Sequence, residues 1–362
     1  MRRSDLPVQA EYVAPNTDLE IRLAELWRDS LNVDMVGSRD DYFDLGGDSL
    51  ATIELFLEIE RWIGVRLAQS TILEHSTVAD LAALLNGEVQ TYTKRSLMPL
   101  QKEGASPPLF LPHDRTGGLM AYRHLLRCLD VRRKVFGLQY LGQNESLTPA
   151  MSIPEMATAY VDAIRTACPR GPYYLAGYSL GGHIAFEMAS QLAAAGGEVR
   201  LLALIDGPTR HGRVRGLQRL ARKVSRDLFL LSDERPGHWP AYLLGSLRQE
   251  LLRSWRKRRR RQREETPQDL SVLLMKQSEK YVPPIYGGPV KLLRCAKGGG
   301  YWSNRYLGWD KYISGPIEVF DIGADHTAIM TEPMASLVAA YLEGWMREAD
   351  RAGPVAQPGS GQ

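Results

Sequence analysis

The run Tyr173-Tyr174-Leu175-Ala176-Gly177-Tyr178-Ser179-Leu180-Gly181-Gly182-His183-Ile184-Ala185-Phe186-Glu187 changes character at its centre. Tyr173 to Ala176 form a short aromatic and aliphatic run of the kind that makes a buried strand. From His183 to Ala195 the apolar residues suit a helix. Between the two stands Gly-X-Ser-X-Gly. Glycines at both flanks relieve the crowding of a sharp strand-to-helix turn, which lifts the Ser179 hydroxyl clear of the backbone. The following helix aims its first amides at developing negative charge. The pentapeptide alone arises often by chance. With a strand before it and a helix after it, Ser179 is expected to be an activated nucleophile.

Working outward, short apolar runs recur at Leu109–Leu111, Val135–Leu138, Val199–Ile205, Lys291–Cys295 and Ile317–Asp321. Helical runs such as Ile153–Thr166 lie between them. This alternation predicts an α/β fold with a mostly parallel sheet. On such a scaffold the base and the orienting acid follow the nucleophile in the order Ser, Asp, His. Four histidines follow Ser179. His183 lies one turn into the helix and is poorly placed to reach back, and His211 and His238 fall in a basic insertion. His326 stands in the polar loop Gly323-Ala324-Asp325-His326-Thr327 after a strand, where the base belongs. Two places can supply the acid. Leu204-Ile205-Asp206-Gly207 offers a carboxylate, whereas Arg294-Cys295-Ala296-Lys297 offers none, so Asp206 is expected. Asp325 adjoins His326, a poor geometry for an Nδ1 contact. The amide of Leu180 is the first oxyanion donor. Leu111-Pro112-His113-Asp114-Arg115 holds the second, with Arg115 favoured over Asp114 and His113 read as structural.

The first ninety residues have a different composition. Glu11 to Gly87 holds 5 Arg and no Lys against 15 acidic residues, whereas Arg210 to Arg263 holds 17 Lys plus Arg against 4 acids. The whole chain averages to a net charge of +3. An acidic module and a basic segment in one chain are natural electrostatic partners. Thr17-Asp18-Leu19-Glu20 has capping-box form and opens an amphipathic run containing Leu23, Leu26 and Trp27. Asp41-Tyr42-Phe43-Asp44-Leu45-Gly46-Gly47-Asp48-Ser49-Leu50 then leads into a second helical run to Ile63. A short segment at Thr71–Glu74 precedes Ser76, read as the cap of a last helix. A lone serine at a helix start is usually an N-cap. The other reading is a hydroxyl in the first turn of a helix, just after Gly46-Gly47 and Asp48, exposed and within reach of another enzyme.

Residues 88–107 show no periodicity and read as a linker between modules at 11–87 and 108–350. About residues 209–282 an Arg-rich helical insertion interrupts the α/β pattern. Its run Arg256-Lys257-Arg258-Arg259-Arg260-Arg261 has three readings: a solvated helix face, a dock for the acidic module, or a site for a polyanion. The run lacks interleaved aromatics beyond Trp255 and no nucleic-acid fold surrounds it. Cys128, Cys168 and Cys295 have neither metal-ligand spacing nor a disulfide pattern, and no stretch has the roughly 18 apolar residues of a membrane span. These features predict a soluble cytoplasmic protein without a metal.

The decapeptide around Ser49, with its four-helix pattern, resembles the thiolation motif of carrier proteins in nonribosomal peptide synthetases, nearer to peptidyl or aryl carriers than to fatty-acid carriers. The resemblance implies that a phosphopantetheinyl transferase places 4′-phosphopantetheine on Ser49 and that upstream adenylation and condensation enzymes load it. Arg3-Ser4-Asp5-Leu6-Pro7 resembles the tail that closes an adenylation domain, consistent with a piece of a longer synthetase or a separate loading enzyme. Residues 108–347 resemble the type I thioesterases that end such assembly lines, an α/β-hydrolase fold with a helical lid. One departure is Gly323-Ala324-Asp325-His326, where Pro-Gly-(Asp)-His is commoner. The expected whole is a small four-helix carrier followed by a thioesterase. It would release an acyl or peptidyl thioester through an acyl-Ser179 intermediate, by hydrolysis or by macrocyclisation or other acyl transfer. The reading from another class is a carrier that presents cargo to external enzymes beside an inactive hydrolase; a generic esterase is the third.

Overall fold

The computed structural model describes residues 2–7, 11–65, 67–87, 95–130, 132–141, 150–209, 270–296 and 305–352. Thr17 opens α1 (Asp18–Leu31) by accepting the Glu20 amide. Glu20 Oε2 accepts the amide of Asn16 rather than that of Thr17, so the capping-box sequence makes half of the reciprocal pair. α2 (Ser49–Ile63), the single turn α3 (Thr71–Glu74) and α4 (Val78–Asn86) complete a small bundle, in which α1 packs on both α2 and α4.

The loop into α2 is pinned by aromatics. Trp27 and Tyr42, both fully buried, meet edge to face with centroids 4.9 Å apart. A Cβ on Gly47 would stand 2.3 Å from the Tyr42 ring, so the turn over that ring admits only glycine. Asp48 then caps α2, accepting the amides of Leu50 and Ala51 at 2.9 Å each. Ser49 is the first residue inside the helix, not its cap, and its hydroxyl is free of capping duty. At α4 the cap is Thr77, which accepts the Asp80 amide, and not Ser76. Ser76 Oγ instead donates to Asp41 Oδ2, tying α4 to the loop that precedes Ser49.

The second part is built on β1 (Leu97–Gln101), β2 (Ser106–Pro112), β3 (Arg133–Leu138), β4 (Tyr173–Tyr178), β5 (Val199–Ile205), β6 (Val290–Cys295) and β7 (Ile317–Ile322), ordered β1-β3-β2-β4-β5-β6-β7. Every pairing is parallel except β1 with β3. Alternate residues feed two cores. Leu109, Leu111, Tyr174 and Ala176 face the side covered by α5 (Arg123–Cys128) and α9 (Met334–Ala352). Phe110 and Leu175 face the side covered by α6 (Ile153–Ala167), α7 (Leu180–Ala194) and α8 (Leu270–Lys280). Covered on both sides, β4 is buried at every residue, which is why it reads as an unbroken apolar run.

Two expectations meet the structure differently. Leu97–Gln101, inside the stretch read as linker, forms the edge strand β1. It has only five residues, includes Pro99 and shifts register between Pro99 and Gln101, so it carries no alternation to read. Of the expected lid, residues 210–269, with His211, His238 and the Arg256–Arg261 run, lie outside the described residues. Its last segment is α8, which buries Leu274 and packs on α7. Among the described residues no helix is long and apolar enough to cross a membrane, and no cluster of side chains could hold a metal ion.

Candidate active site

At the end of β4 the chain turns into α7 through Ser179, whose φ of 56° and ψ of −116° lie in a region that costs a non-glycine residue about 1–3 kcal/mol. The turn is held on both sides. Ser179 N donates to Ile205 O at 2.9 Å, and Gly182 N donates to Ser179 O at 3.1 Å. The turn is also tight: a Cβ on Gly177 would lie 2.1 Å from Gly181 O. The result is a half-buried Ser179 at the tip of the turn.

Asp206 follows β5 with φ of 47° and no exposed side-chain surface. Its Oδ1 accepts the amide of Cys295 at 3.0 Å, and its Oδ2 accepts Nδ1 of His326 at 2.7 Å. A carboxylate can only accept, so the proton of the imidazole is assigned to Nδ1. Nε2 then presents its lone pair to Ser179 Oγ, 3.1 Å away. The structure thus brings Ser179, Asp206 and His326 into one hydrogen-bonded line. The Cys295 amide, on the strand that supplied no carboxylate, fixes the other acid oxygen. The Cys295 thiol is pushed up, first by burial and then by the Asp206 charge, and stays neutral.

His326 sits after β7 with 38% of its side chain exposed. Its loop is clasped by Asp325, whose Oδ1 accepts the amides of Thr327 and Ala328 and the Thr327 hydroxyl. These bonds, the Ala328 amide foremost, hold the Asp325 carboxyl below the usual range. A residue passed over in the sequence supports the base directly. The Tyr178 ring stacks on His326 with centroids 5.0 Å apart, and its hydroxyl donates to His326 O at 2.6 Å. Burial pushes this phenol up, so it remains a donor. The one available signal was an aromatic residue immediately before the nucleophile.

Leu180 opens α7, where its amide has no intrahelical acceptor. Arg115 lies exposed in the turn after β2. Among the described residues neither amide meets a hydrogen-bond acceptor. Asp114 builds that turn by accepting the amide and hydroxyl of Thr116. His113 is fully buried, donates Nδ1–H to Asp114 O at 2.7 Å, and is held below its usual range by burial. His183 is tied to Ser278 Oγ at 2.8 Å and Pro208 O at 3.1 Å, away from Ser179.

Ser49 lies on the N-terminal helical bundle and is half-buried. Arg123 Nη1, from α5, donates to Ser49 Oγ at 3.4 Å, and Arg127 Nη2 donates to Asp44 Oδ1 at 2.6 Å and Asp41 Oδ1 at 3.0 Å. These arginines lie more than seventy residues from their partners, with no spacing for a sequence reading to find. Among the described residues Ser49 Oγ makes no other hydrogen bond.

Residues 22–85 match the family model of the phosphopantetheine attachment site, and residues 107–277 match that of the thioesterase domain. The chain is 30% identical to malpinin synthetase of Mortierella alpina over 344 residues, 94% of this chain and 4% of that protein. It is 37% identical over 199 residues to the dimodular nonribosomal peptide synthase of Bacillus subtilis, covering 54% of this chain and 8% of that one. The chain therefore spans only a small fraction of the length of these relatives. Its backbone also resembles holo-AB3403, a four-domain nonribosomal peptide synthetase, with a TM-score of 0.51 over 96% of this chain and 27% of that one. At 24% identity this likeness concerns the fold alone.

Proposed function

We propose that this chain, which matches the phosphopantetheine attachment site over residues 22–85 and the thioesterase domain over residues 107–277, works as the carrier and thioesterase of a nonribosomal peptide synthetase, holding an acyl or peptidyl thioester at Ser49 and releasing it through Ser179. The observation that carries this reading is the His326 imidazole bridging Asp206 Oδ2 at 2.7 Å and Ser179 Oγ at 3.1 Å. When bound to Ser49, 4′-phosphopantetheine supplies a thiol on a long arm that carries the acyl group as a thioester.

Nε2 of His326 takes the Ser179 proton as Oγ attacks the acyl carbonyl. Asp206, buried and anchored by the Cys295 amide, keeps the imidazole in the right tautomer and stabilises its positive form. The open amides of Leu180 and Arg115 are the donors assigned to the oxyanion. His326 then returns its proton to the leaving sulfur, and the acyl group stays on Ser179 as an ester. In the second half-reaction His326 deprotonates water, which attacks that ester; the proton returns to Ser179 as the acid leaves. A hydroxyl or amine of the acyl chain in place of water gives a ring instead. Hydrolysis is the reading preferred here. An inactive hydrolase beside a presenting carrier would have no use for a strained serine held against a charge-oriented base.

The same reading places a phosphopantetheinyl transferase and upstream loading enzymes as partners, and the cytoplasm as the compartment, in keeping with free Cys128, Cys168 and Cys295. It also includes docking of the acidic carrier on a basic surface, for which the segment 210–263 was the expected place. Added salt should slow release from the carrier more than hydrolysis of a small free thioester.

The test is intact-protein mass spectrometry after loading Ser49 with a panel of acyl-phosphopantetheine groups, with Ser179→Ala beside the parent protein. The parent should lose the acyl mass and the variant retain it, and the product mass separates acid from ring. Equal retention across the panel would sink the catalytic reading. Failure to add phosphopantetheine at Ser49 would sink the carrier reading.

A further inference from the structure

The carrier meets α5 through two arginines one turn apart, and their surroundings differ. Arg127 reaches the loop before Ser49: Nη2 donates to Asp44 and Asp41, and Cζ lies 5.7 Å from the centroid of the Phe43 ring. With 48% of its side chain exposed, Arg127 makes ion pairs that are individually weak. Together with the cation–π contact they form a geometric latch.

Arg123 points at the attachment hydroxyl itself, with Nη1 3.4 Å from Ser49 Oγ. Its Nε donates to His124 Nε2 at 3.0 Å, which orients the guanidinium and leaves the terminal nitrogens forward. In the unmodified chain this is a long, poor bond to a neutral hydroxyl. The environment around Ser49 favours a stronger use. A phosphodiester on Ser49 would stand beside the Asp48 carboxylate, and that carboxylate already occupies the amides of Leu50 and Ala51. The start of α2 therefore has little left with which to neutralise an added negative charge, and a cation must come from outside the bundle. Arg123 is in place to provide it, with the fork geometry that suits phosphate oxygens.

The position also makes sense for delivery. Arg123 directly follows Tyr122, whose hydroxyl accepts the Tyr178 amide at 3.1 Å, and Tyr178 directly precedes Ser179. The path from Ser49 to Ser179 thus runs through a hydrogen bond, a peptide link, a second hydrogen bond and a second peptide link.

We propose that α5 is the docking element for the modified carrier: Arg127 latches onto Asp41 and Asp44, and Arg123 binds the phosphate of the arm on Ser49. Modification of Ser49 then tightens the seat of the carrier on the thioesterase, so that an unmodified carrier docks weakly and a modified one strongly. This inference rests on the reading that Ser49 bears phosphopantetheine.

The experiment uses the full chain with Ser179→Ala, modified with unloaded phosphopantetheine and checked by mass. Two readouts are taken: the ³¹P resonance of the phosphodiester, and docking measured by energy transfer between labels on the carrier and on the sheet domain. Arg123→Gln should move the resonance toward its position in urea and weaken docking about tenfold, the size of one hydrogen bond to a charged group. Arg123→Lys, which keeps the charge but loses the fork, should fall between the two and shows that the fold tolerates the change. Arg127→Gln should weaken docking in modified and unmodified protein alike, whereas Arg123→Gln should matter mainly in the modified one. An unchanged resonance in Arg123→Gln, or equal docking with and without the arm, overturns the inference while leaving the carrier reading intact. Absence of the added mass at Ser49 overturns both.

Discussion

Gly177→Ala isolates the contact between strand and helix that shapes the turn at Ser179. The new methyl would lie 2.1 Å from Gly181 O, 2.3 Å from Gly181 C and 2.6 Å from Gly182 N. All three are backbone atoms in the first turn of α7, so no rotamer change gives relief. β4 and α7 must separate by about an ångström to restore ordinary contact, well into the repulsive range of the potential. Overpacking of ordinary cores costs about 1–3 kcal/mol, and this site belongs at the top of that range because backbone has to move. For a domain of this size about 3 kcal/mol corresponds to a loss of roughly 6–12 °C in Tm. The catalytic effect should be larger in proportion. Ser179 sits between the two separating elements, and a displacement of about 1 Å from attack geometry costs on the order of a hundredfold in rate. Stopped-flow acylation of Ser179 by a small thioester measures the rate, and a circular-dichroism melt on the same protein measures the stability. A variant with the parent's acylation rate and an unshifted melt would refute the argument, because it would mean that the turn does not depend on this approach.

Other changes probe neighbouring parts of the site. Asp206→Asn places an amide against Nδ1 of His326, moves the imidazole proton to Nε2 and should lower kcat about 10⁴-fold, with phosphopantetheine addition at Ser49 unaffected; steady-state rates and intact mass test both halves. Tyr178→Phe keeps the ring stacked on His326 but removes the bond to its carbonyl, so kcat should fall only about fivefold. For Asp325 the folded carboxyl lies below its usual value, so its clasp on the His326 loop is fully present above the ordinary Asp range and is lost as pH falls through the lowered value. Asp325→Asn should accordingly melt below the parent near neutral pH and converge with it in acid, and a gap that widens in acid would contradict the assignment. Gly344 lies inside α9 with nothing within 4 Å of a built Cβ. Gly344→Ala should therefore raise stability by up to about 1 kcal/mol through helix propensity alone, read as a higher Tm with unchanged kcat.

Much of the chain was legible in its sequence because the decisive signals are local. Buried parallel strands such as β4 are short apolar runs wherever they occur, and the alternation with helices implies their packing. The turn at Ser179 needs glycines within two residues on either side, and the loop into Ser49 needs glycine over the Tyr42 ring, so both sites appear as compact motifs. His326 and Asp206 were reachable because chain order constrains where each can stand. β1 was not legible, since five residues with a proline show no period and depend on the edge of β3 for their pairing. Nor was the cap at Thr77, because Ser76 beside it is the better N-cap residue and is taken by Asp41 through a contact spanning 35 residues.

The sequence by itself thus marked two modules, two serines and the groups proposed to act on them, all through propensities and steric demands felt within a few residues. The tertiary structure alone decided how those groups are held. It set the Cys295 amide on Asp206, the Tyr178 ring and hydroxyl on His326, and the arginines of α5 against the Ser49 loop. Each of these contacts joins segments far apart in the chain, and its energy appears only after the sheet and its helices have brought them within hydrogen-bonding distance.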